Sequence, residues 1–138
     1  MTDQAKESTQ PAFAAQSLGA SLTVGSLRDS VAWYRDALGF TVDREHARDG
    51  QLFAVSLRAG DVRILLTQDN GAKGGDRLKG EGFSLQFTTL QDVDALAARA
   101  KRAGATFDTE PSDFRGARMF RLRDPDGFRL VISSPMNA

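Results

Sequence analysis

The stretch Met119-Phe120-Arg121-Leu122-Arg123-Asp124-Pro125-Asp126-Gly127-Phe128-Arg129-Leu130-Val131-Ile132-Ser133 decides how the chain is read. Apolar and polar residues alternate on both sides of Asp124-Pro125-Asp126-Gly127. Proline presets φ at the second position of a turn, and Asp and Gly suit the positions after it. The stretch therefore predicts a β-hairpin. Phe120 and Leu122 on one strand, with Leu130 and Ile132 on the other, share an apolar face. The remaining chain is read as what covers that face.

Upstream of the hairpin, Phe83, Leu85 and Phe87 alternate with Ser84, Gln86 and Thr88, which predicts a strand. Thr89-Leu90-Gln91-Asp92 reads as a capping box, followed by Val93, Leu96, Ala97, Ala100 and Ala103 at helical spacing up to Gly104. A short strand over 106–110, broken at Pro111, leads into the hairpin. The first half of the chain carries the same programme. A strand over 18–24 has Ala20, Leu22 and Val24 on one face, and Ser26-Leu27-Arg28-Asp29 opens a helix. Leu27, Val31, Tyr34 and Leu38 line that helix and Gly39 stops it. Strands over 40–45 and 52–58, around a turn at 46–50, and a strand over 62–68 follow. The interval from Ser21-Leu22-Thr23-Val24 to Ser84-Leu85-Gln86-Phe87 is also the interval between the two helix starts. The chain reads as two copies of β-α-β-β-β.

The expected organisation is a flexible tail over 1–16 and one domain over 17–138. Within it, module one covers 17–68, a glycine-rich linker 69–82, and module two 83–135. Neither copy buries both faces of its sheet alone. The expected class is α+β: two βαβββ modules forming curved mixed sheets around a cleft, with the helices outside.

Composition narrows the partners. Lys and Arg number 18 against 18 Asp and Glu, and this zero formal charge argues against a nucleic acid or an anionic membrane surface. With no cysteine there is no disulfide framework and no thiolate chemistry, which suits the cytoplasm. The N-terminus lacks a signal-peptide pattern, and no apolar run reaches transmembrane length. The expectation is a cytoplasmic protein.

Ser30-Val31-Ala32-Trp33-Tyr34-Arg35-Asp36-Ala37-Leu38-Gly39-Phe40, Asp92-Val93-Asp94-Ala95-Leu96 and Arg123-Asp124-Pro125-Asp126-Gly127-Phe128 together resemble the vicinal oxygen chelate superfamily. That superfamily includes glyoxalase I, extradiol dioxygenases and bleomycin resistance proteins. The resemblance spans 18–133 and specifies a fold more than an activity. It implies one metal ligand on the first and one on the last strand of each module, usually His or Gln and then Glu. By register those positions are Ser21, Leu65, Ser84 and Val131. Hydroxyl and aliphatic side chains do not hold a divalent ion, so no metal and no cofactor is expected. The only histidine, His46, is placed in a turn away from these positions.

The chain therefore looks most like metal-free, bleomycin resistance-type members: a binder, by sequestration or carriage, of a small amphipathic or planar molecule. The expected cleft takes Ser21, Thr23 and Leu65 from module one and Ser84, Gln86, Met119 and Val131 from module two. Arg63 and Arg129 flank it, and a buried arginine there would want an anion such as a carboxylate, sulfate or phosphate. The resemblance also implies a homodimer, with the cleft formed within one chain or across two. A metal-dependent lyase, isomerase or dioxygenase stays open if ligands lie outside the assigned register, as does a structural module with a filled cleft.

Other residue patterns carry less. Arg115, Arg118, Arg121 and Arg123 do not form one basic patch, because Arg118 points opposite to Arg121 and Arg123 on a strand. Gly71, Gly74 and Gly75 lack the Lys-Ser/Thr of a phosphate loop. Glu45, Glu81 and Glu110 are isolated from any carboxylate partner in the sequence, and no Ser-His-Asp set is apparent. No catalytic residues are expected.

Overall fold

The computed structural model describes residues 12–74 and 79–136. Most of the expected tail lies outside them, and Phe13 and Leu18 are exposed rather than docked. The elements run β1 (Ala20–Val24), α1 (Leu27–Trp33, continued by a π turn Tyr34–Leu38), β2 (Thr41–Arg48), β3 (Gln51–Ala59) and β4 (Val62–Gln68). The second series is β5 (Ser84–Thr88), α2 (Val93–Arg102), β6 (Thr106–Phe114), β7 (Ala117–Arg123) and β8 (Arg129–Pro135). Each series makes a four-stranded mixed sheet, ordered β1-β4-β3-β2 and β5-β8-β7-β6. The fold is α+β, built as two βαβββ modules. No helix among the described residues is long and apolar enough to cross a membrane.

Alternation decides which face of each sheet is covered. Leu22, Val24, Val55, Leu57, Ile64 and Leu66 are buried on one face of the first sheet, against α1. Phe120, Leu122, Leu130 and Ile132 do the same on the second, against α2. These residues and the buried helix residues Leu27, Tyr34, Val93, Ala97 and Ala100 form a single cluster. The alternate residues of each strand make an open face on the side away from the helix.

The Asp124 turn closes as the sequence predicts. The Gly127 amide donates to the Asp124 carbonyl at 2.9 Å, and Gly127 has a φ of +93°. The Asp124 carboxylate accepts from the Asp126 and Phe128 amides, each at 2.9 Å, and so holds the turn from inside.

Four local expectations change. The turn between β2 and β3 shrinks to Asp49-Gly50, with φ of +52° and +75°, so His46 is a strand residue opposite Ala54. Asp-Gly readily takes the positive φ that a tight hairpin turn needs at both centres. Thr89 does not cap α2: its hydroxyl accepts from the Gln91 amide in a local turn, and Asp92 accepts from the Asp94 amide as the cap. A Thr or Ser before a helix serves either role, and the helix starts where Val93 first buries. Strand β6 does not stop at Pro111 but runs through it to Phe114, with irregular pairing between Thr109 and Ser112. An edge strand tolerates the missing N–H at such an irregularity.

The fourth concerns the linker. Its described ends are fastened: the Asp69 amide donates to the Val24 carbonyl at 2.8 Å. Lys79 Nζ lies 2.9 Å from Asp69 Oδ2 and 3.4 Å from Asp126 Oδ1. Asp126 also accepts from the Gly25 amide at 2.8 Å. Gly80, at a φ of +72°, passes so close to Phe128 that an added Cβ would lie 2.9 Å from its ring. Residues 75–78, which include Gly75, lie outside the described residues.

Candidate functional site

The two modules meet at Tyr34 and Asp124. The Tyr34 hydroxyl donates to Asp124 Oδ2 at 2.8 Å, and both residues are buried. Burial, with the Asp124 charge beside it, pushes the Tyr34 phenol far up from its ordinary value. Burial also pushes the Asp124 carboxyl up, against the opposing effect of the hydrogen bonds it accepts. Trp33 and Phe40 pack edge-on against the Tyr34 ring. Trp33-Tyr34 is thus core packing, and Tyr34 anchors the hairpin turn of the other module. Arg99 of α2 adds to the joint by donating to the Arg35 and Asp36 carbonyls at the end of α1.

On the second sheet, a cavity of about 600 Å³ is lined by Ser84, Gln86, Arg129 and Val131 of the expected set. Phe83, Asp108, Thr109, Arg121 and Arg123 complete most of the wall. Ser84 stands opposite Arg129 and Gln86 opposite Val131, so each pair shares the open face by parallel register. The Gln86 amide reaches the Ser84 hydroxyl at 3.5 Å. Met119 lies on the same face of β7 but is buried beside Ser133 and does not line the cavity.

The first-module residues stand elsewhere. Ser21 is opposite Leu65 and Thr23 opposite Thr67 on the first open face, and none of them lines this cavity. Arg63 is on that face too, with its Nε 3.4 Å from Asp43 Oδ2. The structure thus brings Ser84, Gln86, Arg129 and Val131 together and leaves Ser21, Thr23, Arg63 and Leu65 as a separate group. One register detail departs from the sequence reading. The residue beside Ser84 is Arg129, so Arg129, and not Val131, stands where Leu65 stands in module one.

Sequence reasoning missed part of the wall. Alternation already put Arg121 and Arg123 on the Met119 face, and that signal was enough to include them. Asp108 and Thr109 were not recoverable, because both face the cavity through a shift in the β6–β7 register between Phe107 and Thr109. Phe83, 46% exposed, adds an aromatic surface at the rim.

A sequence profile of the Glyoxalase/Bleomycin resistance protein/Dioxygenase superfamily matches residues 16–132. The chain belongs to this superfamily. No curated protein sequence matches it significantly. Among solved structures, a Glyoxalase/bleomycin resistance protein/dioxygenase superfamily member from Sphaerobacter thermophilus is similar, with a TM-score of 0.71 and 21% identity. The match covers 88% of this chain and 98% of that one. TioX from Micromonospora sp. matches with a TM-score of 0.69 at 18% identity, over 88% of this chain and 100% of its own. TnmS3 from Streptomyces sp., described as an antibiotic binding protein, matches with a TM-score of 0.67 at 20% identity. That match covers 91% of this chain and 99% of TnmS3. Identities this low speak for the shared fold.

The superfamily's metal chemistry needs donors that are missing at the strand positions assigned to them here. Ser21, Leu65, Ser84, Arg129 and Val131 supply no imidazole or carboxylate at either reading of the register. Among the described residues, no three His, Asp or Glu side chains are grouped to hold an ion. The residues at these positions do not fit a divalent metal.

Proposed function

We propose that this protein binds a small amphipathic or planar molecule without a metal, sequestering or carrying it rather than transforming it. The observation that carries this reading is the cavity of about 600 Å³ on the second open face, whose wall sets Val131 and Phe83 beside the polar ends of Ser84 and Gln86 and the guanidiniums of Arg121, Arg123 and Arg129. Apolar surface set beside directed polar groups is what small-ligand sites are made of. The likeness to an antibiotic binding protein supports the same class, and drug or toxin tolerance is one biological outcome of sequestration.

The site is completed in a homodimer, where the first open face of a second copy, with Ser21, Thr23 and Leu65, covers the cavity. Support comes from the one-module lining of the cavity and from apolar side chains left exposed on both modules, including Val42, Leu52, Val62 and Phe83. A cytoplasmic setting fits the absence of cysteine.

Elemental analysis combined with native mass spectrometry of protein purified without chelator tests this. The expected result is a dimer mass with no stoichiometric zinc, iron, manganese or nickel and a small bound adduct. A metal near one per chain overturns the metal-free reading. A monomer that still holds the adduct removes only the dimeric completion of the site.

A further inference from the structure

The cavity is positively charged inside a chain whose formal charge is zero. Three guanidiniums, Arg121, Arg123 and Arg129, face it against a single carboxylate, Asp108. That carboxylate is already used: Arg123 Nε lies 2.6 Å from Asp108 Oδ2, and Arg123 also reaches the Gly127 carbonyl at 3.4 Å. Nearby arginines are likewise satisfied. Arg118 pairs with Asp94 and Asp113, Arg115 lies over the Phe114 ring, and Arg63 on the other module faces Asp43. Arg121 and Arg129 differ. Neither has a hydrogen bond, ion pair or ring partner among the described residues.

Their placement brings like charges together. Arg129 is directly opposite Arg123 in the β7–β8 register, and like charges at such positions repel. Arg121 is opposite Val131, two residues along the strand from Arg129. Diagonal neighbours of this kind sit about 7–8 Å apart at their base, within reach of one shared oxyanion for two long side chains. Ser84, Gln86 and Thr109 bring further hydrogen-bond donors to the same cavity, and the only acidic acceptor in its lining is already committed. An anion would relieve the repulsion and fill the open donors.

We propose that Arg121 and Arg129 form an anion subsite, so that the ligand is an amphipathic acid. A carboxylate, sulfate or phosphate group would meet the guanidiniums while its apolar or aromatic body lies along Val131 and Phe83. The proposal rests on the binding reading above and names the ligand class for that cavity.

Two fluorescent probes with one scaffold test it: anilinonaphthalenesulfonate, which is anionic, and phenylnaphthylamine, which is neutral. Wild-type protein is expected to bind the sulfonate about tenfold more tightly, the scale of a charge-assisted contact. Arg121→Gln and Arg129→Gln are each expected to remove most of that preference and to leave the neutral probe within about twofold. Arg129→Lys, which keeps the charge and provides a folding control, is expected to retain most of it. Raised salt should weaken the sulfonate alone. Equal affinity for the two probes in wild-type protein, or a preference unchanged in both Gln variants, overturns the anion subsite while the cavity stands. Failure of both probes to bind overturns the cavity reading and the subsite with it.

Discussion

On the first module's open face, Ser21 sits beside Leu65 and Arg63 is neutralised by Asp43. On the second, Ser84 sits beside Arg129, and Arg121 and Arg129 meet no acid among the described residues. The backbones correspond: each first strand pairs in parallel with its last strand, and each sheet has the same strand order. The covered faces also correspond, because burying Leu22 and Leu66 or Leu130 and Phe120 leaves little choice beyond apolar residues. The open faces are under no such constraint. The two modules therefore share one scaffold while each open face carries its own chemistry.

The comparison assumes that one strand carries two unlike faces, and β7 offers the sharpest way to break it. Phe120→Ala is expected to cost about 3–5 kcal/mol, because it empties a fully buried site, whereas Arg121→Gln next to it should stay within about 0.5 kcal/mol. Urea unfolding of the two variants measures the difference. Similar losses would mean that the open face is not open.

The second test asks whether the two faces are held in register by the Tyr34–Asp124 joint. Tyr34→Phe removes a buried hydrogen bond to a carboxylate and is expected to cost about 1.5–3 kcal/mol. A loss under 0.5 kcal/mol by chemical denaturation would show that the modules are joined by packing alone.

The same joint has a pH signature. The Asp124 carboxyl is raised in the folded chain, so the folded state holds its proton more tightly than the unfolded state. The stability this contributes is complete below the unfolded value, about pH 3.9, and is lost as pH rises through the higher folded value. The advantage of wild type over Asp124→Asn is therefore expected to shrink as pH rises above about 3.9, at no more than about 1.4 kcal/mol per pH unit. Urea midpoints for both proteins across that window measure it. An advantage that grows with pH would contradict the direction.

The smallest effect belongs to the paired arginine of the first face. Arg63 is 57% exposed at its side chain, so its pair with Asp43 is screened by water. Arg63→Gln is expected to change stability by less than about 1 kcal/mol, measured by thermal unfolding. It should also leave sulfonate-probe binding within about twofold, in contrast to Arg129→Gln. An equal effect of the two substitutions on binding would erase the difference between the faces.

What the sequence by itself determined is the scaffold. Alternation in β5, β7 and β8, the Asp124-Pro125-Asp126-Gly127 turn and the helix spacing of Leu27 and Tyr34 are local signals, and local physics suffices to read them. The same signals placed Ser84, Gln86, Arg129 and Val131 on one face, and they line one cavity. Tertiary structure alone decided the rest. Strand periodicity says which residues share a face but not how far a strand slides against its neighbour, so the partner of Ser84 was set only when β5 and β8 paired. It says nothing of register shifts, and one such shift turns both Asp108 and Thr109 toward the cavity. Nor does it say which charges find partners. Arg63 and Arg129 look alike in sequence, and only the folded chain places Asp43 beside one and a second arginine opposite the other.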